Sequence, residues 1–259
     1  MPQLCNPHDT RMEPATKSLR SPDSFRRAAE AFGLDFEGGD LERLGSYLAM
    51  LLEANTCFNL TAITDPDGAW IKHIFDSLTL LPYIASAQAT RVIDVGSGGG
   101  LPGVPLAIAI PAVQFTLLEA TGKKADFLGD VAGTLGLPNV EVINDRAETL
   151  GHDPHHREHY DVVVARAVGR LATLLELTVP LAGVGGHVLT IKGRKATQEI
   201  SDAKQALHRL HCAVVETSRT PTGTIVVIKK LRRTPNRYPR RPGEPKRSPL
   251  GFVPPRHNL

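Results

Sequence analysis

The chain alternates between two hydrophobic rhythms. Over residues 23–89 apolar positions recur at helical spacing. Asp23 or Ser24 can cap FRRAAEAF, which should stop at Gly33, and Asp40 can cap LERLGSYLAMLLEAN. In the latter, Leu41, Leu44, Leu48, Leu51 and Leu52 form one apolar stripe. A third helix is predicted over GAWIKHIFDSLTLLPYI (residues 68–84). From residue 91 the rhythm changes to short, nearly continuous apolar runs separated by helical stretches. The runs are RVIDV, QFTLLE, VEVIN, YDVVVAR, GHVLTIK, CAVVET and TIVVIKK, with helices starting near Pro102, Lys123, Arg170 and Thr197. Such a succession predicts a doubly wound α/β sheet covered on both faces. Its last two strands, joined around Pro221–Gly223, should be antiparallel.

Four segments follow from this pattern: a disordered leader (1–22), a helical cap (23–89), a ligand-binding α/β domain (90–231) and an extended, Pro-rich tail (232–259). No apolar run is long enough to cross a membrane, and the N-terminus lacks the apolar stretch of a secretory signal. The three cysteines, Cys5, Cys57 and Cys212, form no CxxC pair. That count excludes a disulfide-dense scaffold and suits a reducing cytoplasm.

Charge adds a partner class. Residues 229–259 hold ten Lys/Arg and one acid, Glu244, while the whole chain nets only +3. A mildly acidic body with a strongly basic end suggests a polyanion, nucleic acid first.

The sharpest chemical signal is Asp94-Val95-Gly96-Ser97-Gly98-Gly99-Gly100-Leu101-Pro102-Gly103, a glycine turn at the end of the first strand. Glycines there let a ligand approach the backbone, at the sheet edge where open α/β folds bind ligands. Counted from Gly96, Leu101 stands where a dinucleotide fingerprint needs Gly or Ala, and no P-loop is present. Acid-x-Gly-x-Gly-x-Gly remains, the pattern of S-adenosylmethionine (SAM)-dependent methyltransferases. Glu119, ending the second strand, is placed to accept hydrogen bonds from both ribose hydroxyls. The loop Asn144–Glu148 is placed to flank the adenine.

After the fourth strand the chain reads Val164-Ala165-Arg166-Ala167-Val168, without the Asn/Asp-Pro-Pro-aromatic motif of exocyclic-amine methylation. No cysteine stands in position to attack a base carbon. A lone-pair acceptor such as guanine N7 needs neither device, so catalysis would rest on positioning and desolvation.

Together Asn59-Leu60-Thr61, Lys72-His73-Ile74-Phe75-Asp76-Ser77, the Asp94–Pro105 loop and Lys192-Gly193 resemble the bacterial small-subunit rRNA guanine-N7 methyltransferases, the family also called glucose-inhibited division protein B. Tyr238–Leu250 (YPRRPGEPKRSPL) is similar to the tail of Gram-positive members. The resemblance implies a SAM-type Rossmann-like fold and methylation of one guanine in the 530 loop of 16S rRNA, on the rRNA or the 30S particle, by a cytoplasmic monomer needing no metal. It also implies cofactor contacts at Gly96, Gly98, Leu101, Ala147, Glu148 and Arg166, and catalytic or RNA-contacting roles for Arg146, Arg166 and Lys192. On this reading Arg166→Ala should lose SAM binding or turnover with little loss of fold.

Blander readings stand beside these. His73 and Asp76 can simply satisfy buried polar groups where cap meets sheet. The His-rich GHDPHHREHY lacks a metal-binding scaffold, and the tail could be only solubilising. A SAM enzyme for small molecules would leave the tail idle; a nucleotide-binding regulator would bind ligand without methyl transfer.

Overall fold

In the computed structural model, which describes residues 18–251, the chain forms one seven-stranded sheet with helices on both faces. The cap comprises α1 (Asp23–Phe32), α2 (Asp40–Ala54), α3 (Pro66–Ala69), a π-helical turn (Trp70–Phe75), α4 (Asp76–Leu78) and α5 (Leu81–Ser86). The strands and helices that follow are β1 (Arg91–Val95), α6 (Gly103–Ala109), β2 (Gln114–Leu118), α7 (Gly122–Thr134), β3 (Val140–Ile143) and α8 (Ala147–Leu150). Then come β4 (Tyr160–Arg166), α9 (Leu171–Thr178), β5 (Ala182–Lys192), α10 (Ala196–Asp202), α11 (Lys204–Arg209), β6 (Cys212–Arg219), β7 (Thr224–Lys230) and α12 (Glu244–Arg247).

Strand order is β3-β2-β1-β4-β5-β7-β6; β7 is antiparallel to β6, as the short Pro221–Gly223 connection required, and also to β5. The order reverses between β1 and β4, which pair in parallel through Val92–Val162 to Asp94–Val164. Alternation along each strand sorts the core. Ile93, Val95, Val163, Ala165 and Val188 face α8, α9 and α11. On the other face Val92, Val162, Val164 and Leu189 meet α5 and α6, and Leu117 meets α7 and the cap.

Four expectations change. α1 begins after Pro22 and α2 after Gly39, and neither preceding residue makes a side-chain cap bond. Asp40 instead accepts from the Glu37 N–H at 3.0 Å and from Arg43 at 2.9 Å. The third cap helix starts earlier, where Asp65 accepts from the Gly68 N–H, and is broken rather than continuous. Its middle widens into the π turn, and Pro82, having no N–H to donate, falls in the first turn of a new helix.

Residues 18–22 of the expected leader are ordered, while 1–17 lie outside the described residues. The Leu19 N–H donates to the Gly45 carbonyl at 3.2 Å, so close that a Cβ on Gly45 would fall 2.2 Å from the Leu19 oxygen. The tail, expected to be extended, folds back as far as residue 251; residues 252–259 are not described. Tyr238 and Leu250 are buried in the core on the α9 face. The reason is a set of polar anchors that composition does not reveal. Glu176, fully buried on α9, takes a bidentate pair from Arg240 at 2.8 and 2.6 Å. Arg157 donates to the carbonyls of Thr234 and Tyr238, both at 2.8 Å.

Candidate functional site

A cavity of about 740 Å³ opens at the carboxyl edge of the sheet, at the reversal between β1 and β4. Open α/β sheets place ligands there because successive loops diverge from that point. Its walls are the Val95-Gly96 end of β1, the Asp145–Glu148 loop, the Ala167–Arg170 loop after β4, and Gly243, Lys246, Arg247 and Pro249 of the tail.

Gly96, Gly98 and Gly100 adopt φ of +72°, +58° and +96°, the left-handed conformations that side chains disfavour. Tyr47 of α2, wholly buried, donates its hydroxyl to the Gly99 carbonyl at 2.7 Å and so ties the cap to the glycine turn. Burial, ahead of the field of Asp94, holds this phenol protonated far above its ordinary range, partly opposed by Arg166.

Asp94 lies beneath the turn, fully buried. Its Oδ2 accepts from the Gly103 N–H at 2.9 Å, whereas Oδ1 has no partner among the described residues. Burial raises this carboxyl to about 7 against the opposing pull of the Gly103 bond.

Glu119, just beyond β2, is also buried. Its two oxygens accept from the Gly98 N–H at 3.0 Å and the Thr121 N–H at 2.8 Å. A carboxylate has about four acceptor positions, so two remain for a ligand's hydroxyls. Asn144 steadies this corner by donating to the Glu119 carbonyl at 2.8 Å.

The site residues expected from sequence divide into groups. Gly96, Arg146, Ala147 and Glu148 line the cavity, with Arg146 exposed at its rim. Gly98 and Glu119 are bonded to each other just beside them. Leu101 packs into the cap-side core instead. Lys192 is buried behind the lining: its Nζ donates to the carbonyl of the wall residue Gly169 at 2.7 Å and pairs with Glu199 at 3.0 Å. It thereby fixes the loop that forms one cavity wall, where Ala167 holds a strained φ of +59°.

Arg166 also lies outside the lining. It donates to the Lys72 carbonyl at 2.8 Å, to Asp76 Oδ2 at 3.1 Å and to His73 Nδ1 at 3.1 Å. A guanidinium can only donate, so His73 carries its proton on Nε2, which donates a hydrogen bond to the Thr61 hydroxyl, 2.7 Å away. Burial, reinforced by Arg166, depresses His73 to about 4 and keeps it neutral. Thr222 donates to the other oxygen of Asp76. The scattered motifs Asn59-Leu60-Thr61 and Lys72–Ser77 thus meet the end of β4 in one polar network.

Two participants escaped the sequence reading. Tyr47 lies within α2 beside the apolar stripe, with no motif to mark it. The tail wall looked like linker, although Gly-Glu-Pro within YPRRPGEPKRSPL is a turn-and-helix-start signal. Among the histidines, His152 bonds the Pro239 carbonyl and His156 the Tyr160 hydroxyl, both at 2.7 Å.

Known proteins resemble this chain in sequence and in fold. The family described as rRNA small subunit methyltransferase G matches residues 40–224. The chain is similar to a ribosomal RNA small subunit methyltransferase G of Sorangium cellulosum, 48% identical over 88% of this chain and 95% of the relative. A protein of the same name from Pelotomaculum thermopropionicum is 42% identical over 88% and 98%. In fold it is similar to an O-methyltransferase from Bacillus cereus solved in complex with SAH, with a TM-score of 0.53 at 14% identity, over 80% of this chain and 97% of that one.

Proposed function

Because this chain belongs to the rRNA small subunit methyltransferase G family, we propose that it transfers a methyl group from SAM to N7 of a guanine in the 530 loop of 16S rRNA. The observation that carries the reading is the cavity at the β1/β4 reversal, flanked by a left-handed glycine turn and by Glu119 with acceptor capacity to spare. Its volume falls within the range of small-molecule sites. The Asp94 oxygen under the turn, which has no partner among the described residues, and the glycine conformations both fit a bound adenosyl amino acid.

SAM, when bound, supplies an electrophilic methyl that a lone pair can displace. Glu119 binds the ribose hydroxyls, and the Asp145–Glu148 backbone flanks the base. Gly96 and Gly98 bring main chain close to the ligand. Leu101 packs its side chain into the core beneath that turn, which leaves its main chain to the ligand. N7 carries its own lone pair, so these residues need not remove a proton from the base; they hold the reactants in line and exclude water.

The cationic residues act around this centre. Arg146 at the rim grips phosphate or guanine O6. Lys192 sets the position of the Gly169 wall. Arg166, held by His73 and Asp76, fixes the end of β4 against the cap and adds positive potential beside the cofactor site. The protein acts as a cytoplasmic monomer, on 16S rRNA within a 30S particle or its precursor; no helix of the described residues is long and apolar enough to cross a membrane.

The test is transfer of label from methyl-tritiated SAM to 30S subunits from a strain lacking the gene, with the nucleoside identified. Label in 7-methylguanosine of the 530 loop is expected. Label in another nucleoside overturns the target, and SAM binding without transfer overturns the activity.

A further inference from the structure

The tail's cations are not equivalent. β7 runs antiparallel to β5, so it ends at the amino edge of the sheet, and the tail must cross the α9 face to reach the cavity. Along that path several charges are consumed. Lys230 is fully buried and pairs with Glu158 at 2.9 Å. Arg240 is spent on Glu176, and Arg237 lies over the Tyr238 ring at 5.0 Å. Arg232 and Arg233 stay exposed, but at the amino edge, where Arg233 shares Glu158 at 3.5 Å and its carbonyl accepts from His211.

At the carboxyl edge the outcome differs. The Gly243 N–H donates to Glu148 at 2.7 Å, and the Thr173 hydroxyl to the Pro245 carbonyl at 3.1 Å. Leu250 is buried just beyond α12. A four-residue helix cannot hold itself, so these anchors are what place it. They leave Lys246 and Arg247 exposed on the cavity wall, with no side-chain hydrogen bond or ion pair to any described residue. Exposed Arg146 and Arg170 line the same cavity.

We propose that Lys246 and Arg247 of α12 form a phosphodiester grip that holds the substrate RNA at the mouth of the methyl-transfer cavity. This deepens the rRNA methyltransferase reading and rests on it. A base reaches a recessed methyl donor only by leaving its stack, and the phosphates flanking it then lie at the rim. Two cations fixed there by buried anchors neutralise those phosphates without having to be ordered on binding. Arg240 and Lys230, equally basic in sequence, take no part in RNA contact.

The experiment compares two double variants of the full chain, Lys246→Ala/Arg247→Ala and Arg232→Ala/Arg233→Ala. It measures affinity for 16S rRNA across a salt series, affinity for SAM, and methyl transfer to 30S subunits. The first variant should weaken RNA binding roughly tenfold at low salt and flatten the log–log salt slope by about 1–2, with SAM affinity unchanged. Lys246→Arg/Arg247→Lys should restore most of the loss. The Arg232/Arg233 variant should keep the wild-type slope. Equal slopes in the two double variants overturn the proposal. So does a loss of SAM affinity as large as the loss of RNA affinity, since α12 would then be only a wall. RNA binding needs no turnover, so the outcomes separate. A wild type that binds RNA through these residues but transfers no methyl refutes the activity and keeps the grip. A wild type that methylates while the slopes coincide refutes the grip alone.

Discussion

Arg166, the last residue of β4, and Asp76, the first of α4, lie ninety positions apart and meet at 3.1 Å where the cap closes on the sheet. The aspartate is buried and the arginine largely so. His73 and Thr222 complete the contact, so the pair locks cap, sheet and the β6–β7 turn together.

Arg166→Ala should therefore cost stability as well as activity. The substitution strips a buried carboxylate of its cation, which costs about 2–4 kcal/mol after discounting partial exposure. In a chain of this length Tm should fall by roughly 5–12 °C. Thermal unfolding without cofactor is the measurement. An unchanged Tm would restore the sequence expectation that the fold barely notices the change.

Glu119→Ala should weaken SAM by about 1–3 kcal/mol, or about 5- to 150-fold in Kd, for two lost charge-assisted hydrogen bonds. The Gly98 N–H loses its acceptor at the same time, so the glycine turn loosens. Calorimetric titration reads the affinity, and a Kd within twofold of wild type would remove Glu119 from the ribose site.

Arg240→Ala should undock the tail. Buried Glu176 loses its bidentate partner, at a cost of about 2–4 kcal/mol, and keeps only the main-chain N–H of residue 240 as a tail anchor. Trypsin should then cut after Arg237 and Arg247 under conditions in which the wild type resists. Equal cleavage rates would mean that the other anchors suffice.

Two buried groups set opposite pH dependences. His73 titrates near 4 in the fold against 6.5 when unfolded, so the unfolded chain binds more protons between those values and stability rises with pH. Asp94 titrates near 7 against 3.8, so the folded chain holds the extra proton and stability falls as pH rises. Between pH 4 and 6.5 the two slopes, up to about 1.4 kcal/mol per unit each, offset one another. Asp94→Asn should expose the His73 slope, with stability rising with pH in urea unfolding; His73→Gln should expose the reverse. A flat profile in both variants would mean that neither group titrates as its surroundings dictate.

Local rules made much of this legible in advance. The strands from Arg91 to Lys230 announced themselves by apolar runs because a strand buried on both faces can hold few polar side chains. The glycine turn and Glu119 were legible because a ligand-approaching backbone admits few alternatives to glycine, and the ends of neighbouring parallel strands fall side by side. The antiparallel pairing of β6 and β7 followed from a connection too short for a crossover.

What sequence could not supply was every relationship across long separations. Strand order, and with it the reversal that makes the cavity, depends on how seven strands share two faces. The π turn and the break at Thr79–Leu80 follow from packing that helical periodicity averages away. Arg166 meets Asp76 because a buried carboxylate ninety residues earlier needs a cation. The tail read as free chain because composition counts its charges without seeing that Glu176 is buried and waiting for one of them. Composition and local pattern determined the fold class, the glycine turn and the acidic partner at the end of β2. Only the tertiary structure decided which arginines hold the protein together and which remain for a ligand, because a charge's role depends on what is buried beside it.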